Sequence, residues 1–277
     1  MKKKITAGKL GLYLALAFGF CIMAFPMVWT VICSFRTNGD LLQPPVKYIP
    51  NPFVLENYPY AWNNAKFSSY FTNSLVVSFA TAAIVLVLAT LCAYALSRYS
   101  FPGKKLMIIL LMATQFIPAI MLITPLFNIF KELGMVSSLS GIIVLFVAFQ
   151  LPFNAVLMIS FVDGVPYSLE EAAMLDGCNK LQVLTKVVVP LLFPGFVAVA
   201  SFAFIMSWNE YLFPVIFIND PSKFTISVGL GYMLGAYSRK FGALSAGSII
   251  SLIVPLLLFA FMQKYLVAGL TAGSVKE

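Results

Sequence analysis

Four acidic side chains lie in one polar stretch of this sequence, between two long apolar blocks: Asp163, Glu170, Glu171 and Asp176. Clustered carboxylates can bind a metal ion or transfer protons. However, the chain has no histidine, which is the commonest metal ligand and the usual proton carrier near neutral pH. Its four cysteines show no metal-binding spacing and offer no external pair for a disulfide. The sequence therefore predicts no metal site and no catalytic residue in this chain.

The same stretch has residues that begin and end short helices. Ser168 and Glu171 fit the S-x-x-E capping box, in which a hydroxyl and a carboxylate satisfy each other's backbone amides at a helix start. Gly177 is predicted to end this helix in the left-handed conformation, which only glycine enters without steric cost. The pattern predicts one short helix followed by a turn.

A second short helix is predicted directly after that turn. Asn179 and Gln182 repeat the capping pattern, and the helix should extend from Lys180 to Val189. Pro190 has no amide hydrogen and is predicted to end it. We call residues 163–190 the acidic loop, which is too polar to cross a membrane and must lie on one side of it.

The composition of the whole chain sets its class. Hydrophobic residues make up 61% and charged residues only 10%, against about 25% charged in soluble proteins. Several apolar runs reach the roughly 18 to 25 residues that cross a bilayer as a helix. The chain is predicted to be an all-α polytopic membrane protein with six transmembrane helices, at about 10–35, 71–97, 106–127, 139–162, 191–217 and 245–266.

Lysine and arginine indicate the orientation of these spans, because positive residues gather on cytoplasmic loops. Lys2, Lys3 and Lys4 precede the first span, and the basic loop 99–105 follows the second. With six spans, both termini and the acidic loop are then cytoplasmic, while residues 36–70 are external. The net charge of +8 is explained by this orientation and not by nucleic-acid binding.

The acidic loop also resembles a motif of a known family. Glu171-Ala172-Ala173 is followed after three residues by Gly177 and after nine more by Val187-Val188-Val189-Pro190. This spacing is similar to the EAA loop of ABC import permeases, with Val187 and Val189 where the family usually has Ile and Leu. Further stretches resemble the sugar-uptake branch of that family and the shorter of its two permease halves: Asn73-Ser74, Ala93-Tyr94-Ala95-Leu96-Ser97-Arg98, Leu151-Pro152-Phe153-Asn154, Ser207-Trp208-Asn209-Glu210-Tyr211 and the tail 269–276.

The resemblance implies a type I ABC importer permease fold and a set of partners. These are a second homologous permease subunit, two cytoplasmic ABC ATPases, an external solute-binding protein and a carbohydrate substrate. ATP and magnesium would belong to the ATPases; this chain lacks the P-loop motif G-x-x-x-x-G-K-[ST] and is predicted to hold no cofactor of its own. The residues implied to contact the ATPase are Glu170, Glu171, Ala172, Ala173, Asp176, Gly177 and Pro190 in the acidic loop, and Gly273, Ser274 and Val275 in the tail.

Polar residues inside the predicted spans are candidates for a translocation path. A hydroxyl-rich solute needs hydrogen-bonding groups, and the flat face of Trp208 suits the C–H face of a sugar ring. An acid inside a span costs at least about 2.5 kcal/mol and usually marks function or a buried partner. The alternative is hydrogen bonding between helices and an interfacial position for Trp208. The candidates are Gln115, Gln150, Asn154, Ser201, Trp208, Asn209 and Glu210.

The sequence thus predicts a permease subunit of an ATP-driven importer in a bacterial or archaeal plasma membrane, and not an enzyme. Its substrate is expected to be a carbohydrate, most simply an oligosaccharide. A glycerol-phosphate compound or another polar solute is an alternative, as are an ion-driven secondary transporter and a membrane assembly subunit without a path. The predicted division is 1–35 for the start and first span, 36–70 for an external loop, 71–268 for the permease core with the loop at 163–190, and 269–277 for a cytoplasmic tail.

Overall fold

The computed structural model describes residues 7–45, 48–64, 66–236 and 240–272, and every regular element in those ranges is a helix. Four helices are long and apolar enough to cross a membrane. We call them span 1 (Gly11–Ser34), span 2 (Phe67–Arg98), span 4 (Leu139–Asp163) and span 6 (Phe241–Gln263).

Two further spans each consist of two helices that meet at a bend. Span 3 joins Lys104–Phe116 to Ala119–Glu132 at 96°, and span 5 joins Lys180–Leu191 to Phe193–Asn209 at 77°. Pro118 lies in the first break, and Pro190 and Pro194 flank the second, at Leu192. The missing amide hydrogen of proline weakens a helix near such positions. With each bent pair counted as one span, the chain has six transmembrane helices, which confirms the predicted number.

The observed boundaries differ from the predicted ones near the carboxyl end. The predicted fifth span at 191–217 is divided into Phe193–Asn209 and Leu212–Phe217. The segment between the last two spans contains a short apolar helix, Ile226–Ala236, which the sequence analysis did not predict. The hydroxyl of Ser74 accepts a hydrogen bond of 2.7 Å from the amide of Ile226 and so satisfies the first amide of this helix.

The described residues form two compact units. The first contains Met1–Ser68 and Gly229–Ile253. Here the buried amide of Asn57 donates to the carbonyls of Ser34 and Arg36, at 2.9 Å each. A Cβ atom at Gly242 would lie 2.6 Å from that amide, so the close approach requires glycine. The short helices Asn38–Leu42 and Asn57–Pro59 are held by such contacts, and the side-chain oxygen of Asn38 also accepts the amide of Gly242 at 3.2 Å.

The second unit contains Ser69–Val228 and Val254–Glu277, and it includes the acidic loop. Its core lies along span 4 and the helix Phe193–Asn209, whose buried residues face each other. A Cβ atom at Gly195 would lie 2.6 Å from the ring of Phe161, so these two helices touch without space for a side chain. The contact fixes span 4 against the helix that leaves the acidic loop.

Candidate functional site

The first helix of the acidic loop, which we call the loop helix, extends over Tyr167–Leu175. It begins after Pro166, and no side chain caps its first amides. The predicted capping box of Ser168 and Glu171 is therefore wrong. Proline fixes φ near the helical value, so the chain becomes helical one residue before Ser168, and that serine already lies inside the first turn.

The predicted end of the loop helix is confirmed. Gly177 has φ of +88°, in the left-handed region. Its amide donates to the carbonyl of Met174 at 3.1 Å, and the amide of Cys178 donates to that of Ala173 at 3.0 Å. These two bonds form a Schellman motif, which satisfies the last carbonyls of the helix. The loop helix therefore stops abruptly at a defined angle.

The second helix of the loop begins as predicted but ends later. Asn179 and Gln182 exchange backbone-to-side-chain hydrogen bonds of 2.9 Å each, which confirms this capping box. The helix then widens into a π turn over Leu184–Val188 and continues through Pro190 to Leu191. The predicted stop is wrong: the helix ends at Leu191, two residues after the predicted last residue Val189. Pro190 lies in the first turn of the last helical segment, Val189–Leu191, where its lack of an amide costs little.

The two neighbouring glutamates of the loop helix lie in opposite environments. Glu171 is exposed, whereas Glu170 is 2% exposed. The expectation that both carboxylates face a partner is therefore corrected: Glu170 lies inside the protein. Consecutive residues of a helix point about 100° apart, so one faces solvent when its neighbour faces the core.

Glu170 is paired with residues at the end of span 2. Arg98 donates from Nε to Oε1 of Glu170 at 2.5 Å, and the hydroxyl of Tyr94 donates to Oε2 at 2.9 Å. From the sequence, Arg98 is named only as the last residue of a stretch that resembles the sugar-uptake branch, and no partner is predicted for it. A basic residue at the very end of an apolar span, one turn after a tyrosine, is the pattern that could have indicated a buried partner.

The exposed face of the acidic loop combines carboxylates with bare apolar surface. Glu171, Ala172 and Asp176 are exposed, and Gly177 adds no side chain. Leu175 is 89% exposed at the centre of this face, which sequence analysis did not single out. A large apolar side chain so open, ringed by polar groups, is typical of a surface that another protein covers.

Two of the predicted path residues, Gln150 and Asn154, form a polar cluster between span 4 and the helix Phe193–Asn209. Gln150 donates from its amide nitrogen to the hydroxyl of Ser207 at 3.0 Å, and Asn154 donates to the carbonyl of Gln150 at 2.8 Å. The side-chain oxygens of Gln150 and Asn154 are buried and accept no hydrogen bond from the described residues. Ser201, another predicted path residue, is buried in the helix Phe193–Asn209. Ser207 belongs to this cluster although sequence analysis did not propose it.

The other path candidates lie elsewhere in this unit. Trp208 is 3% exposed, with its ring stacked on Phe204 at 5.7 Å and edge-on to Phe71 at 5.6 Å, so neither face is open in this conformation. Asn209 and Gln115 are exposed. The amide of Gln115 lies 3.4 Å from the carbonyl of Phe149, beside the bend of span 3.

Glu210 lies at a helix break and not inside a span, contrary to the prediction. Its carboxylate accepts the amides of Leu212 at 2.8 Å and Phe213 at 3.3 Å, which begin the next helix. An acidic side chain at a helix start is stabilised by the free amides and the helix dipole. This contact accounts for the acid without a role in transport.

The predicted ATPase-contacting tail residues Gly273, Ser274 and Val275 lie beyond the described residues. Within residues 7–45, 48–64, 66–236 and 240–272, no group of three or more His, Cys, Asp or Glu residues could hold a metal ion.

Apolar helices of this number and length, with two bent pairs each counted as one span, define a polytopic membrane protein. Residues 85–272 match the model of the binding-protein-dependent transport system inner membrane component, and the chain belongs to this family of ABC importer permeases. The class predicted from the EAA spacing is thereby confirmed.

Individual relatives are similar over nearly the whole chain. A diacetylchitobiose uptake system permease protein of Streptomyces coelicolor is 32% identical, over 92% of this chain and 85% of the relative. A trehalose/maltose transport system permease protein of Thermococcus litoralis is 31% identical, over 92% of each chain. A bacterial ABC transporter involved in the import of the polysaccharide alginate has the same fold, with a TM-score of 0.79 and 23% identity over 92% of this chain and 96% of that one.

Proposed function

We propose that this chain is one half of the membrane channel of an ATP-driven oligosaccharide importer, and that its acidic loop docks on an ATPase. The observation that supports docking most directly is the exposed face of the loop, with Leu175 between Glu171 and Asp176. Leu175 would enter an apolar cleft of the ATPase, and the two carboxylates would meet basic groups around it.

The shape of the loop suits a docking element. Its helix starts after a proline, ends in a Schellman motif and is followed at once by a capping box. All of these features restrict the backbone, so little conformational entropy is lost on binding. The small residues Ala172 and Gly177 leave space for a partner to approach the helix closely.

The partners follow from this role. A second, homologous permease subunit would complete the path, two ATPase subunits would hold ATP and magnesium, and an external binding protein would deliver the solute. The acidic loop and both termini would then be cytoplasmic, in the plasma membrane of a bacterium or archaeon. The tail residues Gly273, Ser274 and Val275 are proposed to reach the ATPases as well.

The substrate class rests on two lines of support. Relatives with more than 30% identity are transport permeases for diacetylchitobiose and for trehalose or maltose. In the part of the chain that the structure describes, no donor reaches the buried side-chain oxygens of Gln150 and Asn154. Sugar hydroxyls are donors that would satisfy them when the spans separate, and a buried acceptor left unpaired is costly.

Uptake by the assembled complex in membrane vesicles tests this function. We expect a labelled oligosaccharide, from a panel that includes chitobiose-, maltose- and arabinose-type chains, to enter only with its binding protein and ATP. Uptake of a glycerol-phosphate compound in its place would revise the substrate class. Uptake that follows an ion gradient without ATP would overturn the proposal.

A further inference from the structure

One buried cluster connects the loop helix to the ends of two spans. Arg98 is the last residue of span 2, and besides Glu170 it donates from Nη2 to the carbonyls of Val162 at 2.8 Å and Val165 at 2.7 Å. These carbonyls lie at the end of span 4 and in the turn that follows. A single guanidinium therefore contacts span 2, the end of span 4 and the first turn of the loop helix.

Neighbouring contacts strengthen the same connection. The hydroxyl of Ser97 donates to the carboxylate of Asp163, the last residue of span 4, and accepts from Nη1 of Arg98 at 3.0 Å. The guanidinium also lies 5.9 Å from the ring of Tyr167, which opens the loop helix. Positive charge at the carbonyl end of span 4 and negative charge in the first turn of the loop helix both suit the helix dipoles.

Burial makes this pair different from a surface ion pair. The side chain of Arg98 is 10% exposed and that of Glu170 is 2% exposed. Both carboxylate oxygens have a donor from span 2, one from Arg98 and one from Tyr94. Separating a buried charge from its partner costs several kcal/mol of free energy, about 3–5 in typical proteins. We therefore expect the loop helix to shift only together with the end of span 2.

We propose that Arg98 and Glu170 are positioning residues that make the loop helix move as one body with the ends of spans 2 and 4. Glu171 on the outer face would meet the ATPase, while Glu170 on the inner face passes the movement of the docked helix to the spans. This inference rests on the proposed function, because it concerns how docking becomes transport.

The test replaces both charges at once. In Arg98→Met with Glu170→Leu, no buried charge is left alone, and such apolar replacements are often neutral for stability. The polar connection between the end of span 2 and the end of span 4 is lost, because the guanidinium no longer donates to the carbonyls of Val162 and Val165. We expect the complex to assemble and hydrolyse ATP, with the amount of sugar taken up per ATP lowered about tenfold, a typical coupling effect.

A matched control removes one positive charge from the same side of the membrane. Lys105 is exposed, and Lys105→Met should leave the ratio of uptake to hydrolysis unchanged. A wild-type ratio of uptake to hydrolysis in the double variant would overturn the positioning role. Loss of the ATPase from the purified complex would also overturn it, because the pair would then be part of the docking contact itself. If the double variant fails to accumulate, the single variant Glu170→Gln provides the test. Glutamine keeps the size of the glutamate side chain and one acceptor oxygen. An unchanged ratio of sugar uptake to ATP hydrolysis in this variant would reject the proposal.

The result is separable from the proposed function. If the loop does not dock at all, Glu171→Lys will leave ATPase co-purification and uptake intact, whatever the buried pair does. If docking is right and the positioning role is wrong, Glu171→Lys will release the ATPase while the buried double variant transports normally.

Discussion

The acidic loop and the polar cluster between spans 4 and 5 are built in opposite ways. In the loop, charged groups are either exposed or fully paired, and its helix ends are closed by Gly177 and by the box of Asn179 and Gln182. Between the spans, the groups are neutral, and the buried side-chain oxygens of Gln150 and Asn154 accept no hydrogen bond from any residue that the structure describes. The loop is thus suited to transmit force without changing shape, whereas the spans hold hydrogen-bonding capacity that another conformation or a solute can use.

The strongest test of this contrast is a charge reversal on the exposed face. Glu171→Lys should reduce ATPase co-purification by more than about tenfold, because like charges brought together at an interface cost several kcal/mol. Folding should be unaffected, since this side chain is exposed. Glu132→Lys is the matched control, because Glu132 is also exposed but is the last residue of the helix Ala119–Glu132, outside the acidic loop. Equal ATPase retention in both variants would remove the loop from the docking surface.

The stiffness of the loop is tested at its turn. Gly177→Ala places a side chain at φ of +88°, which costs roughly 1–2 kcal/mol, and should lower ATP-coupled uptake about tenfold or less. Gly164→Ala is the control in the same loop, because Gly164 has a φ of −71° and a Cβ there meets only ordinary contacts. Parallel uptake assays should separate the two. Equal losses would show that any change in the loop matters and not its left-handed turn.

The spans should respond differently to the loss of a polar group. In Asn154→Leu, an amide whose oxygen accepts no hydrogen bond from the described residues is replaced by an apolar side chain. Thermal stability should therefore hold or rise while sugar uptake falls several-fold. Thr90→Val is the control, because the hydroxyl of Thr90 donates to the carbonyl of Leu86, one turn earlier in its own helix. Uptake that stays at the wild-type level in Asn154→Leu would return this amide to a packing role.

The smallest effect is expected at Glu210. Glu210→Gln keeps an oxygen that can accept the amides of Leu212 and Phe213, so uptake should stay close to that of the wild type. Glu210→Ala removes the cap and should lower stability by about 1 kcal/mol, measured as a shift of the melting temperature of the purified complex. A strong loss of uptake in the glutamine variant would indicate that the charge itself acts in transport.

Local features of the loop could be predicted from the sequence, and distant ones could not. Gly177 and the pair Asn179 and Gln182 depend only on residues within one or two turns, so their patterns were sufficient. Ser168 failed because two helix-start patterns compete there, and Pro166 precedes it. The partner of Glu170 lies 72 residues away, and no local pattern contains that contact.

The spans show the same limit. The number of spans follows from the lengths of the apolar runs, which can be read directly from the sequence. The 77° and 96° bends do not, because proline permits a bend without setting its angle. Glu210 was placed inside a span since apolar residues continue to Phe217, while the chain in fact breaks where that carboxylate can cap the next helix.

The bare side chain of Leu175 has a consequence for the life of this subunit in the cell. A leucine that is 89% exposed to water promotes non-specific association with other apolar surfaces until another protein covers it. A partner that binds only the folded chain stabilises it by mass action, so the amount of intact subunit should follow the supply of that partner. Surplus copies would remain open to aggregation and proteolysis, and the stoichiometry of the complex would be regulated by which subunits survive.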